Sequence, residues 1–164
     1  MECLYKADAA YPEIEIKTRS PFEVRLLMPV YGGKNSEITA ITGYIFQSYM
    51  LAEKEKEIAK CLEKIAISEM RHHETIGTMI VMLGGVPYIG DNRSFWQGGY
   101  VNYSQKVSDM IEGDIIGEKN AIRGYKDVIK LSKNETVKAV IGRIIMDEEV
   151  HIATLESIKR SLLS

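Results

Sequence analysis

Two stretches of the chain carry a heptad stripe that is apolar at every step but two. Leu62, Ile65, Glu69, His72, Ile76, Met79 and Leu83 form the first; Val137, Ile141, Ile144, Glu148, His151, Leu155, Ile158 and Leu162 form the second. Alternating steps of three and four residues place each set on one face of an α-helix, and so apolar a face has to be buried against other helices. Each stripe therefore carries one glutamate and one histidine into a core. Whatever this chain folds into must accommodate them.

The stripes lie in two blocks, 36–83 and 104–163, and all four prolines (Pro12, Pro21, Pro29, Pro87) fall outside both. Proline breaks helix interiors, so its absence agrees with the periodicity. Each block is too long for one helix of a small domain, and each is expected to fold back as a helical hairpin, giving four helices. In the second block Ser132 and Asn134 offer N-caps ahead of the next apolar period. In the first, Met50 to Lys56 offers no such mark. Residues 84–103 hold six helix breakers (Gly84, Gly85, Pro87, Gly90, Gly98, Gly99) beside Tyr88, Phe95, Trp96 and Tyr100, and read as an ordered aromatic crossover. Residues 1–35 read as a lead-in packed on the bundle. Ile14 and Ile16 alternate there with charged neighbours, and Pro21 can start a short helix from Phe22 to Val30 that closes at Gly32-Gly33. A single domain over 1–164 is expected.

The blocks repeat one another. Glu37-Ile-Thr-Ala40-Ile41-Thr-Gly43-Tyr44 is echoed by Glu118-Lys-Asn-Ala121-Ile122-Arg-Gly124-Tyr125, and each copy is followed downstream by a Glu-x-x-His, Glu69/His72 and Glu148/His151. In an antiparallel hairpin two residues share a height when the bend lies midway between them. For Glu118 and Glu148 that midpoint is residue 133, inside the capped segment; for Glu37 and Glu69 it is residue 53, where the unmarked bend is expected. Within each Glu-x-x-His the spacing puts both side chains on the buried face. Four carboxylates and two imidazoles are thus expected in one layer of the core.

Each isolated buried carboxylate costs several kcal/mol, so the layer needs positive charge. The stripes supply no Lys or Arg. Two divalent cations would balance four carboxylates and take neutral imidazoles as ligands, and an oxygen-rich set with one imidazole per ion suits Fe or Mn better than Zn. The expected ligands are Glu37, Glu69, His72, Glu118, Glu148 and His151.

Neighbouring residues carry weaker expectations. Tyr44 and Tyr125 lie two turns from Glu37 and Glu118 on the same face, where a hydroxyl could hold a carboxylate across the bundle or the ring could simply fill core. Asp114, one turn before Glu118, reads as an extra acid near the site or as a solvated carboxylate. His73 should point to solvent, Cys61 should be a packed thiol, and Gly43 and Gly124 should mark close approach of a neighbouring helix. A formal charge of −2 gives no field for nucleic acid or an anionic membrane, and no apolar run approaches a membrane span. Two cysteines make no disulfide framework and residues 1–12 do not read as a signal peptide, so a reducing cytoplasm is the expected location.

With these residues in place, the chain resembles the rubrerythrin and ferritin-like superfamily of di-metal carboxylate proteins over 36–83 and 104–163. The stretch Tyr31-Gly32-Gly33-x-x-x-Glu37-x-x-Ala40-x-x-x-Tyr44-x-x-Gln47-x-Tyr49 is locally similar to manganese catalases and their small spore-coat relatives. The resemblance implies an all-α, up-down-down-up four-helix bundle with a long crossover between its second and third helices. It implies two Fe or two Mn ions, one on Glu37, Glu69 and His72 and the other on Glu118, Glu148 and His151, with one or more carboxylates bridging. In manganese catalases the carboxylate matching Glu148 stands behind the metals. The activity implied is an oxidoreductase acting on hydrogen peroxide, by rubrerythrin-type reduction or manganese-catalase-type disproportionation. The alternatives are ferritin-like iron oxidation and storage, with dioxygen as a possible substrate, or a structural spore-coat role with a residual centre. Rubrerythrins usually carry paired Cys-x-x-Cys motifs; this sequence has none, so any electrons would come from a separate donor. A homo-oligomer, most simply a dimer, is expected from the aromatic crossover.

Overall fold

Both bends fall where equal heights demand them. The structure, a computed structural model, describes residues 3–163. After an extended strap come five helices: α1 (Pro21–Gly32), α2 (Glu37–Leu51), α3 (Lys56–Met82), α4 (Val107–Leu131) and α5 (Glu135–Ser161). Residues 52–55 turn α2 into α3 and 132–134 turn α4 into α5, around the expected positions 53 and 133. The two hairpins pack together as a ferritin-like four-helix bundle, joined by the crossover, with α1 laid against α2, α3 and α4. Among the described residues there is no strand, only an isolated bridge between Gly90 and Phe95 in the crossover.

Local chemistry explains the ends. Ser20 caps α1 by accepting from the Glu23 N–H, with Pro21 in the first turn. Asn134 caps α5 by accepting from the Val137 N–H at 3.1 Å. The buried Glu23 carboxylate accepts from the Ser132 hydroxyl and the Lys133 N–H, each at 2.7 Å, and so ties α1 to the α4–α5 bend. The crossover is held by Trp96 Nε1 donating to the Thr39 hydroxyl at 2.9 Å and by the Tyr31 hydroxyl donating to the Pro87 carbonyl at 2.9 Å. Where it passes α1 the chains nearly touch: a Cβ at Gly32 would lie 2.4 Å from the Gly90 carbonyl oxygen, a position only glycine can fill.

Both stripes are inside. From Leu62 to Leu83 and from Val137 to Ile158 no stripe residue is more than 1% exposed. One apolar cluster gathers Leu27, Ile76, Met79, Val137, Ile141 and Ile144; the other gathers Leu62, Ile65, Met110, Ile111, Leu155 and Ile158. Glu69 and His72 lie between Ile65 and Ile76 on α3, and Glu148 and His151 between Ile144 and Leu155 on α5. The polar layer is therefore sandwiched between two dry ones.

Three local expectations are corrected. Cys61 is not a packed thiol: it is bonded to Cys3, because the strap crosses α3 at the position just beside the stripe. No spacing rule pairs two cysteines so far apart in sequence. His73 is half-buried, stacked on Tyr31 with ring centroids 4.1 Å apart, and burial lowers its pKa to about 4. Gly43 faces no helix, since its nearest neighbour would be a Val101 methyl at 4.0 Å; Gly124 does face one, with Val30 of α1 at 3.2 Å.

Candidate metal centre

All six expected side chains meet. Glu37, Glu69, His72, Glu118, Glu148 and His151 come from four helices and none is more than 3% exposed. His72 Nδ1 lies 2.9 Å from Glu69, 3.3 Å from Glu148 and 3.6 Å from Glu37. His151 Nδ1 lies 2.9 Å from Glu148, 3.0 Å from Glu69 and 3.5 Å from Glu118. Glu69 and Glu148 each turn one oxygen to either imidazole, while Glu37 serves only the His72 half and Glu118 only the His151 half. The result is two overlapping donor groups, Glu37/Glu69/His72/Glu148 and Glu69/Glu118/Glu148/His151, each with its ligand atoms within 4.8 Å of one another. Glu148 is central to both, in contrast to the outer position that the manganese-catalase likeness implies.

The donor set fits cations. Both Glu37 oxygens are buried without a hydrogen-bond partner, a state that costs several kcal/mol unless something positive satisfies it. Burial and the neighbouring carboxylates push Glu37 and Glu118 well above the usual carboxylate range. Burial acts upward on Glu69 too, but the imidazolium charges of His151 and His72 hold it well below. Despite their burial, both histidines are raised well above the usual imidazole value by the facing carboxylates. Without cations, the layer retains protons in their place.

Behind each imidazole stands a group that sequence reasoning missed. His72 Nε2 bonds Asp147 at 3.1 Å, and His151 Nε2 bonds the Tyr5 carbonyl of the strap at 2.9 Å. Asp147 also accepts from the Tyr11 hydroxyl at 2.8 Å and the Ala7 N–H at 2.6 Å, and forms an ion pair with Arg143 at 2.7 Å. These donors outweigh its desolvation and hold the carboxyl far below its ordinary range. Its i,i+4 spacing from Arg143 was the one visible signal. Such partners fix which ring nitrogen faces a metal.

The expected neighbours divide. The Tyr44 hydroxyl donates to Glu118 Oε1 across the bundle, so this tyrosine holds a carboxylate. Tyr125 does not: it lies in the apolar cluster with Leu27 and Val137, and Glu37 is left without a donor. Asp114 accepts from Gln47 Nε2 at 2.7 Å, keeps its other oxygen buried and unpartnered, and is raised by burial to about 7. Gln47, Tyr44 and Asp114 line a cavity of about 280 Å³ between α2 and α4 that runs from the exposed Lys34 and Asn102 to Glu37, Glu69, Glu118 and Glu148. Small molecules thus have a route to the carboxylates.

The family profile described as Rubrerythrin matches residues 34–159, which is the bundle and both Glu-x-x-His pairs. This chain belongs to the rubrerythrin family. Relatives include the bacterioferritin of Desulfovibrio desulfuricans, 32% identical over a 126-residue alignment that covers 74% of this chain and 67% of that protein. Bacterioferritin BfrA of Mycobacterium tuberculosis is 31% identical over 74% of this chain and 76% of its own. Its solved structure superposes with a TM-score of 0.74 at 27% identity, covering 89% of each chain. The manganese catalase KatB from Anabaena superposes with a TM-score of 0.86, covering 97% of this chain and 80% of its own; at 24% identity that likeness concerns the fold. In this rubrerythrin-family bundle the six side chains form a buried carboxylate and histidine group able to hold metal ions. No helix among the described residues is long and apolar enough to cross a membrane.

Proposed function

We propose that the six side chains hold two Fe or two Mn ions, with Glu69 and Glu148 shared, and that the protein is an oxidoreductase acting on hydrogen peroxide. The observation that carries this reading is the pair of carboxylates facing both histidines at one height, with a cavity leading to them. The metals, when bound, supply Lewis acidity and a two-electron store. Glu37 and Glu118 cap the two ends, and Tyr44 fixes the rotamer of Glu118. Asp147 and the Tyr5 carbonyl keep each Nε2 protonated so that Nδ1 faces inward. The dry layers on either side exclude bulk water. Asp114, with a pKa near neutrality and a free Oδ2 on the cavity wall, can hold and release a proton there.

Disproportionation of peroxide needs no outside reductant; reduction needs a separate electron donor. Turnover of peroxide by metal-loaded protein, with and without a reductant, tests the proposal, and a loaded protein inert under both conditions overturns it. Iron binding, oxidation and storage has equal support in the bacterioferritin relatives. Sizing separates the two, since storage needs a large hollow assembly and a dimer cannot provide one. The exposed Phe95 and Tyr103 of the crossover favour association of copies in either case. In a reducing cytoplasm the Cys3–Cys61 bond would face cellular dithiols.

A further inference from the structure

The duplicated hairpins differ at one informative position. The residue before Glu148 is Asp147 and the residue before Glu69 is Ser68. Asp147 reaches across the bundle to His72 Nε2 at 3.1 Å. By the same pseudo-two-fold relation position 68 is the counterpart that would serve His151, but it carries a serine and no carboxylate, and His151 Nε2 bonds the Tyr5 carbonyl. A main-chain group of the strap has taken the place of a missing carboxylate.

That carbonyl is held from both sides. Downstream, the Ala7 N–H donates to Asp147 at 2.6 Å. Upstream, the Leu4 carbonyl accepts from the Thr154 hydroxyl at 2.7 Å, and Cys3 is bonded to Cys61 of α3. Among the described residues, the disulfide ties the strap covalently to α3 two residues before Tyr5. Cys61 is 1% exposed, whereas Cys3 is partly exposed and offers the sulfur that an incoming thiolate can reach.

We propose that the Tyr5 carbonyl is the positioning group for His151, that the Cys3–Cys61 bond keeps it there, and that opening this bond selectively weakens the ion on the His151 half. The inference rests on the di-metal reading above. Opening is a two-electron reduction by a dithiol: its thiolate attacks Cys3 Sγ and displaces the Cys61 thiolate, its second thiol then releases Cys3, and the products are two cysteine thiols and the oxidised dithiol. On the His72 half the positioning group is Asp147, a side chain of α5 paired with Arg143 one turn away, and strap residues Ala7 and Tyr11 only brace it from outside, so that half keeps its geometry throughout.

Calorimetric titration of metal-free protein with Mn(II) tests this in three forms: disulfide-intact, dithiol-reduced, and Cys3→Ser/Cys61→Ser. The intact form should take up two ions; the two opened forms should keep one and bind the other about 10- to 100-fold more weakly, the range for loss of a group behind a metal-bound histidine. Adding Ser68→Asp to the double-serine variant should recover the second ion, because it restores the carboxylate that the repeat lacks. A purely structural staple would not respond to that change. Unchanged binding of both ions in the opened forms, equal weakening of both, or no recovery with Ser68→Asp overturns the inference. An intact form that fails to bind two ions overturns the di-metal reading instead.

Discussion

Replacing Asp147 by alanine tests the outer support of the centre most directly. The side chain is 2% exposed, accepts from Tyr11 and the Ala7 N–H, bonds His72 and is ion-paired with Arg143, all at 2.6–3.1 Å. Its loss leaves Arg143, itself 6% exposed, as a buried cation without its carboxylate. Breaking a buried pair from one side costs about 3–5 kcal/mol. Two features favour the lower end: Arg143 keeps its bonds to the Ala9 and Ala7 carbonyls at 2.8 and 3.1 Å, and a groove of about 600 Å³ beside Asp147 admits water. A loss of about 3 kcal/mol corresponds to a fall in Tm of roughly 6–12 °C for a chain of this size. Urea unfolding and calorimetry of the metal-free variant at pH 7 measure it. A loss under about 1 kcal/mol would refute the reasoning, since it would mean that Arg143 and the strap do not depend on this carboxylate.

Saturating Mn(II) or Fe(II) at about 100 times its Kd should raise unfolding free energy by about 2.7 kcal/mol per site, and Glu69→Gln, which touches both sites, should remove most of the gain in the same melts. The stability of the metal-free protein should fall as pH rises from about 5 to 8. Glu37, Glu118, His72 and His151 all have folded pKa values raised above their unfolded ones, so their contribution is present at low pH and lost on deprotonation; Glu69 and Asp147 act oppositely, but only below about pH 4. Metal-loaded protein should show the reverse trend, and parallel melting series would expose a wrong sign in either. Tyr44→Phe removes the donor to Glu118 and should weaken one of the two ions about tenfold in a titration, with little change in the other. Glu23→Ala leaves the Ser132 hydroxyl and the Lys133 N–H without their acceptor and should cost about 1–3 kcal/mol in chemical unfolding, with metal stoichiometry unchanged.

The inner layer was legible because two periodicities constrain it together. Heptad position fixes which way Glu69, His72, Glu148 and His151 face, and the repeat fixes the height at which Glu37 and Glu118 meet them. Local spacing carries both facts. What stayed hidden was everything set by the strap. Residues 3–11 have no helical period to register against, so the placement of Cys3 on Cys61, Tyr5 on His151 and Tyr11 on Asp147 depends on tertiary packing alone. His73 was misread for a related reason: the helical wheel turns it off the bundle, but α1 covers that flank and presents Tyr31. Asp147 faces the strap on one side and His72 on the other, and a reading confined to the bundle sees only an exposed-looking acid beside a ligand.

Duplication fixes the inside of the centre and leaves its outside free to diverge. Charge balance needs two carboxylates and one imidazole from each side of the pseudo-two-fold, so a change at any of them leaves a buried charge uncompensated. Groups behind them answer only to local geometry. One half has a tyrosine hydroxyl on Glu118 and a peptide carbonyl on His151; the other has no donor on Glu37 and a four-partner aspartate on His72. Glu37, unclamped and on the wall of the cavity, is the terminal carboxylate freer to change rotamer when a small molecule arrives. Glu118, held by Tyr44, is the one that stays. Two ions bound here would therefore differ in mobility and in affinity although their inner donors match, and the strap contacts a ligand histidine directly only on the His151 half.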